Sequence, residues 1–132
     1  MAECKNIMVY VETAEGNPVK VGLEMLSPAK KLADKVTAVV IGGGVADAAK
    51  EVAKAGADQV ICVDSEDYKE FNLDAYAQVL VELVKEENPE AVFVGGTQDG
   101  KDIAPVVAAK CNTGCASDGA RRSISDILAQ LL

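Results

Sequence analysis

Histidine is missing from this chain altogether, and tryptophan with it. Without imidazole, the side chain that most readily exchanges a proton near neutral pH is gone, so acid–base and base-assisted nucleophilic catalysis lose their usual agent. Arginine is nearly missing: residues 1–120 contain none, and the only two are Arg121 and Arg122. Arginine is the side chain best shaped to grip phosphate or carboxylate through two parallel bonds. The body of the chain must therefore hold any nucleotide through backbone N–H groups and lysine. Aromatic residues make up 4% of the sequence, too few for a platform that stacks bases or flavin. No apolar run approaches the length of a membrane span, and a net charge of −8 makes nucleic acid a poor partner.

What is present points to one globular domain: 132 residues, 49% of them hydrophobic, enough for a full core. Met1 to Lys5 runs straight into an apolar strand, so no signal or transit peptide is expected. Cys4, Cys62, Cys111 and Cys115 lie on or beside apolar segments, which suits free thiols and a cytoplasmic location. Cys111 and Cys115 have C-x-x-x-C spacing. With no histidine and no second pair they do not make a zinc site, and no metal is expected. Each cysteine reads as a small apolar filler, Cys62 in the middle of a buried strand. No catalytic constellation emerges.

Periodicity organises the chain. Asn6–Glu12 reads as a first strand and Thr13–Pro18 as a turn. Lys20–Asp34 reads as a helix that Pro28 should kink or delay. Val36–Ile41 is a β-branched second strand, followed by Gly42-Gly43-Gly44 and a helix over Val45–Ala55 capped by Gly56. Gln59–Val63 is a third strand. The acidic loop Asp64–Glu70 precedes a helix over Leu73–Glu87 that Asn88-Pro89 stops. Ala91–Val94 is a fourth strand, and the helix after it ends near Cys111. This alternation predicts an α/β fold: a three-layer, Rossmann-like parallel sheet with helices on both faces and strand order 3-2-1-4. A further strand is expected after Asp118. Instead, Gly119–Leu132 carries an amphipathic helical stripe (Ile124, Ile127, Leu128, Leu131) and both arginines. The expected organisation is a domain over 1–118 and a divergent helical tail over 119–132, whose apolar stripe offers a route to self-association.

The switch point of such a sheet lies between the first and fourth strands, flanked by the loops after Glu12 and Val94, with the Gly42 loop next door. Gly95 to Lys101 fits G-x-x-x-x-G-K, but Asp102 stands where a phosphate loop needs Ser or Thr to hold magnesium. A carboxylate there faces phosphate with like charge. The favoured reading is a strand-to-helix turn that needs glycine for close approach. If a nucleotide did bind, the residues to hold it would be Gly42, Gly43, Gly44, Gly95, Gly96, Thr97, Gly100 and Lys101.

These segments resemble a known family. IMVYVE, EGNPVKVGLEMLSPAKKLAD, VIGGGV, KAGADQVICVD and above all VGGTQDGKDIAPVVAAKCNTGCASD are similar, in order and spacing, to the N-terminal domain of the electron transfer flavoprotein alpha subunit, over residues 6–118. Val106 departs from the family's usual arginine, and Lys101 replaces arginine with a point charge that lacks the fork. The family's second domain, which carries the FAD site, has no counterpart here. The resemblance implies a docking or scaffold domain that packs against a beta subunit. It would serve electron transfer from flavin dehydrogenases through FAD held outside this chain, and would not itself be an enzyme.

Two other classes compete. A small AMP- or ATP-binding module of the universal-stress type would share the fold and the glycine loops, but Gly114 is followed by Cys115 and the Gly-Ser or Gly-Thr pair it needs does not appear. A phosphoacceptor receiver would use Asp64 and Thr97, but the acidic pair after the first strand is absent. Asp64 then reads as a solvated loop acid. The Tyr68, Phe71, Tyr76 group reads as packing.

Overall fold

The computed structural model describes residues 4–14, 16–89, 91–95 and 98–110. The tail predicted over 119–132, and the strand expected after Asp118, lie outside these residues. The elements are β1 (Cys4–Tyr10), β2 (Thr13–Ala14), β3 (Asn17–Pro18), α1 (Lys20–Leu32), β4 (Ala33–Gly42), α2 (Ala46–Lys54), β5 (Gln59–Asp64), α3 (Leu73–Glu87), β6 (Ala91–Val94) and α4 (Gln98–Lys110). Four strands form one parallel sheet in the order β5-β4-β1-β6. That is the expected 3-2-1-4 order. The turn predicted over Thr13–Pro18 adds a two-residue antiparallel ladder, β2 with β3, which folds the chain back before α1.

Alternation along the strands builds two cores. Ile7, Val9 and Val11 of the first strand segment and Val36, Ala38 and Val40 of β4 face Leu26 and Ala29 of α1 and Ala48 and Val52 of α2. Met8, Tyr10, Val39 and Ile41 face the other way, onto Tyr76, Ala77 and Leu80 of α3 and Ile103 and Val107 of α4. Both faces of the central strands are covered, which is why β4 reads as a continuous apolar run. Pro28 neither delays nor ends α1, which starts at Lys20 and runs through it to Leu32. Burial of Gly22, Leu26 and Ala29 outweighs the one backbone bond that proline forfeits.

Cys62 corrects an expectation. It is exposed, not buried, because β5 pairs with β4 on one side only and forms an edge of the described sheet. Its sulfur lies 4.0 Å from the Val45 carbonyl oxygen. Partial burial, then the Asp64 carboxylate, raise its pKa above the usual thiol value, so it stays protonated and weakly nucleophilic at neutral pH.

The bottom of the sheet is tied by polar side chains. The Thr37 hydroxyl, fully buried, donates to Asn6 Oδ1 (3.2 Å), and Asn6 Nδ2 donates to the Glu87 carbonyl at the end of α3 (3.4 Å). Asp58 clamps the start of β4: it accepts from the Val36 N–H (2.8 Å) and from Lys30 Nζ (2.7 Å). The Lys30 bond first, then the Val36 N–H, hold its carboxyl below its ordinary 3.8. A carboxylate with a depressed folded pKa adds stability above its unfolded pKa and loses it as pH falls through the folded value. Asp58→Ala is therefore expected to cost about 1 kcal/mol at neutral pH, less than a buried pair because the site is exposed. The gap to the wild type should shrink as urea melts are repeated below the usual carboxylate range.

Candidate functional site

The carboxyl ends of β1 and β4 open into a cleft of about 360 Å³. Its floor is Tyr10 and Ile41. Glu12, Thr13 and Gly16 line it after β1, and Gly42, Gly43 and Gly44 line it after β4. Lys69, Phe71 and Tyr76 close one wall, and Asp99 enters from the first turn of α4. The ring of Tyr76 meets Tyr68 and Phe71 edge to face at 5.8 and 5.0 Å. The Tyr76 hydroxyl donates to the Tyr68 carbonyl. This aromatic group is packing, as its sequence context suggested, but Phe71 and Tyr76 also present surface to the cleft.

Of the glycines and other residues named for a nucleotide, Gly42, Gly43 and Gly44 line the cleft, whereas Gly95, Gly100 and Lys101 do not; Gly96 and Thr97 lie outside the described residues. The cleft thus sits over β1 and β4, one strand away from the expected crevice between β1 and β6. The first turn of α4 explains the shift. A Cβ on Gly100 would stand 2.0 Å from the Gly95 carbonyl oxygen and 3.0 Å from Glu12 Oε1. Helix and strand end approach each other to backbone contact there. Gly100 serves the close packing of helix on strand end, and Lys101 is exposed on α4.

The second glycine loop is also engaged. Gly44, in the left-handed region at φ +71°, donates its N–H to Asp64 Oδ1 at 2.7 Å. Ser65 N–H donates to the Gly42 carbonyl at 2.9 Å, and a Cβ on Gly43 would lie 3.1 Å from Lys69 Cα. A carboxylate of the chain itself thus occupies the N–H that an anion would take. Asp64 is not merely a solvated loop acid, and its spacing from the glycine run carries no motif that would have shown this. Asp64→Ala should speed hydrogen exchange at the Gly44 amide and lower stability by about 1 kcal/mol.

The electrostatics follow the same line. Burial pushes the Tyr10 phenol far above its ordinary range, and the Glu12 carboxylate, Tyr76 and Asp99 add to the shift. Tyr76 is raised by burial and then by Asp99. Both phenols are neutral hydroxyls, and the lining carries two carboxylates against one lysine. A pyrophosphate or a nucleotide phosphate would meet Glu12 and Asp99 at close range. The residues present do not fit FAD or an adenine nucleotide in this cleft. Among the described residues, no group of three or more His, Cys, Asp or Glu is placed to hold a metal ion, and no helix is long and apolar enough to cross a membrane.

A doubly wound α/β domain of the nucleotide-binding architecture, with its glycine loop closed by its own carboxylate, is the class that fold and site define. The chain belongs to the electron transfer flavoprotein domain family, whose model matches residues 7–125. It is 37% identical over 121 residues to the electron transfer flavoprotein subunit alpha of Clostridium acetobutylicum, covering 89% of this chain and 36% of that protein. To the alpha subunit of Syntrophomonas wolfei it is 41% identical over 117 residues, covering 89% and 37%. To the acryloyl-CoA reductase electron transfer subunit beta of Anaerotignum propionicum it is 38% identical over 118 residues, covering 86% and 32%. The chain spans about a third of the length of these curated relatives.

Proposed function

We propose that residues 1–118 act as the docking or scaffold domain of an electron transfer flavoprotein of the alpha-subunit type, with 119–132 as a divergent tail. The domain serves electron transfer from flavin dehydrogenases through FAD held outside this chain, and its partner is a beta subunit. It carries electrons as part of an assembly and is not itself a catalyst. The observation that carries this reading is the Asp64 carboxylate seated on the Gly44 N–H inside a family whose relatives are named as electron transfer subunits. A domain that keeps the nucleotide-binding architecture but closes its own anion position is suited to packing rather than to holding a cofactor.

The test begins with the purified chain. On denaturation it should release neither flavin nor AMP in near-stoichiometric amount, by absorbance and mass spectrometry. Mixed with an electron transfer flavoprotein beta subunit, it should co-elute as a complex. Stoichiometric AMP or ATP would overturn the reading in favour of a nucleotide module, and bound flavin would overturn the placement of FAD outside the chain.

A further inference from the structure

We propose that the apolar stripe of residues 119–132 (Ile124, Ile127, Leu128 and Leu131) folds back onto a groove between β5 and α3 of its own domain. The inference goes beyond the docking reading and does not rest on it. Parallel pairing sets Val39 opposite Ile61 and Ile41 opposite Val63, so Ile61 and Val63 share the sheet face that α3 covers. Gln59 is on that face too, by alternation. Its Nε2 donates to Glu87 Oε1 at 3.0 Å, in the last turn of α3. Counting back from Glu87 in helical steps gives Leu83 and Val79, a line along α3 that runs beside β5. Ile61, Val63, Val79 and Leu83 are all only partly buried. Among the described residues, β5 has no strand on its outer side. Two apolar lines and an open strand edge thus form one groove, closed at its foot by the Gln59–Glu87 bond.

An open edge beside half-covered apolar surface is a liability that chains cover with a helix or loop. Three features select the tail as that cover. The first is charge. Glu82 and Glu86 are exposed on the solvent side of the α3 line, and Glu66, Asp67 and Glu70 follow β5 at its carboxyl end, with Lys69 the one cation in that loop. None of these acids forms an ion pair among the described residues. The only arginines of the chain, Arg121 and Arg122, stand just before the stripe, so the tail brings basic groups to an acidic rim. A second copy would set acidic rim against acidic rim, with a net charge of −8 on each chain. The second feature is reach. Gly100, in the first turn of α4, meets Gly95 at the carboxyl end of β6, so Lys110 lies at the amino end of the sheet. Glu87 lies at that end too, its carbonyl accepting from Asn6 of β1. β5 and β6 are three strand spacings apart, about 15 Å, and residues 111–120 can span up to about 33 Å. The third is size. Residues 123–132 as a helix measure about 15 Å, which fits within the roughly 20 Å of β5.

The test is a methyl NOE experiment on the full chain, repeated on a mixture of isotope-labelled and unlabelled chains. Cross-peaks are expected from Ile127 and Leu128 to Ile61, Val63 and Leu83, within one chain and not between chains. The Ile127→Asp/Leu128→Asp variant, which leaves the domain core untouched, should lose them, and its β5 amides should exchange with deuterium about tenfold faster than in the wild type. Arg121→Glu/Arg122→Glu should raise the same rates about threefold, the scale of exposed charge pairs, and high salt should remove that difference. Absence of tail-to-groove cross-peaks in the wild type would overturn the proposal. So would cross-peaks found only between chains, which would give the groove to a second copy, or β5 exchange that neither variant changes. Beta-subunit binding is read separately, by co-elution of the same samples. A chain that shows the cross-peaks but binds no beta subunit would defeat the docking reading alone.

Discussion

Replacing Gly100 by alanine is expected to destabilise the domain by about 3 kcal/mol, at the upper end of ordinary overpacking costs, and to lower the melting temperature by about 10 °C. The added Cβ would stand 2.0 Å from the Gly95 carbonyl oxygen and 3.1 Å from the Gly95 carbonyl carbon. Both are backbone atoms at the end of β6, and neither can rotate away. Relief must come from moving α4 or the strand end. Yet α4 is pinned one and two turns along by Ile103 and Val107, buried against the Met8, Tyr10 and Ile41 face of the sheet. Lifting the helix strips that face, and sliding it drags Asp99 from the cleft. Gly95→Ala is the matched control. Its Cβ would meet chiefly Val21 Cγ1, at 3.0 Å, a side-chain atom on α1 rather than backbone, and its cost should be clearly smaller. Thermal and urea melts of the two variants rank them. Equal costs would mean that the close approach at Gly100 does not govern the turn.

That pair of glycines shows what could and could not be read from the residues. The strand-to-helix turn was legible, because an apolar run ending in glycine and feeding a helical pattern has few other solutions. The best-read elements are those with local punctuation. α3 begins after Asn72, whose side chain accepts from the Ala75 N–H at 3.0 Å, and ends at Asn88 in the left-handed region at φ 49°. Both ends match the expected Leu73–Glu87. Where the stop is tertiary, the boundary slips. The first strand was expected over Asn6–Glu12, but the β1 ladder covers Cys4–Tyr10, although Val11 N–H still donates to the Val39 carbonyl at 2.9 Å. Cys62 was misplaced for a related reason: an apolar strand pattern does not say which strand lies at the edge.

The site was legible by region and not by residue. Strand order predicts a ligand position at the carboxyl edge of the sheet, and the cleft is there. Its exact seat depends on how closely α4 approaches β6 and Glu12, a contact distance that no residue pattern encodes. The Asp64–Gly44 bond joins the end of β5 to the loop after β4, twenty residues earlier. It exists only because parallel pairing brings Gly42 opposite Asp64. Glu12 and Asp99 were visible as single acids with nothing to unite them until β1 and α4 were placed side by side.

Leu80→Ala is expected to cost about 3 kcal/mol, within the usual range of about 2–5 kcal/mol for a fully buried leucine. Leu80 has no exposed surface and sits where α3 crosses the Met8, Tyr10, Val39 and Ile41 face of the sheet. The change removes transfer free energy and leaves a cavity that a helix held at both caps cannot readily collapse. Part of the loss should appear at the cleft, because Tyr76, one turn before Leu80 on the same helix, contributes ring surface to its wall. A wall loosened from below should shift or broaden the Tyr76 and Phe71 ring resonances even in the folded fraction. Val84→Ala, one turn further on and only partly buried, should cost less and leave the cleft unaffected. Urea melts give the stability ranking, and NMR spectra of the folded variants give the second effect. A Leu80→Ala protein with wild-type stability would show that α3 is not a principal support of this face of the sheet. If it lost stability but kept the wild-type ring resonances, the aromatic wall would be held by the Tyr68 and Phe71 contacts alone.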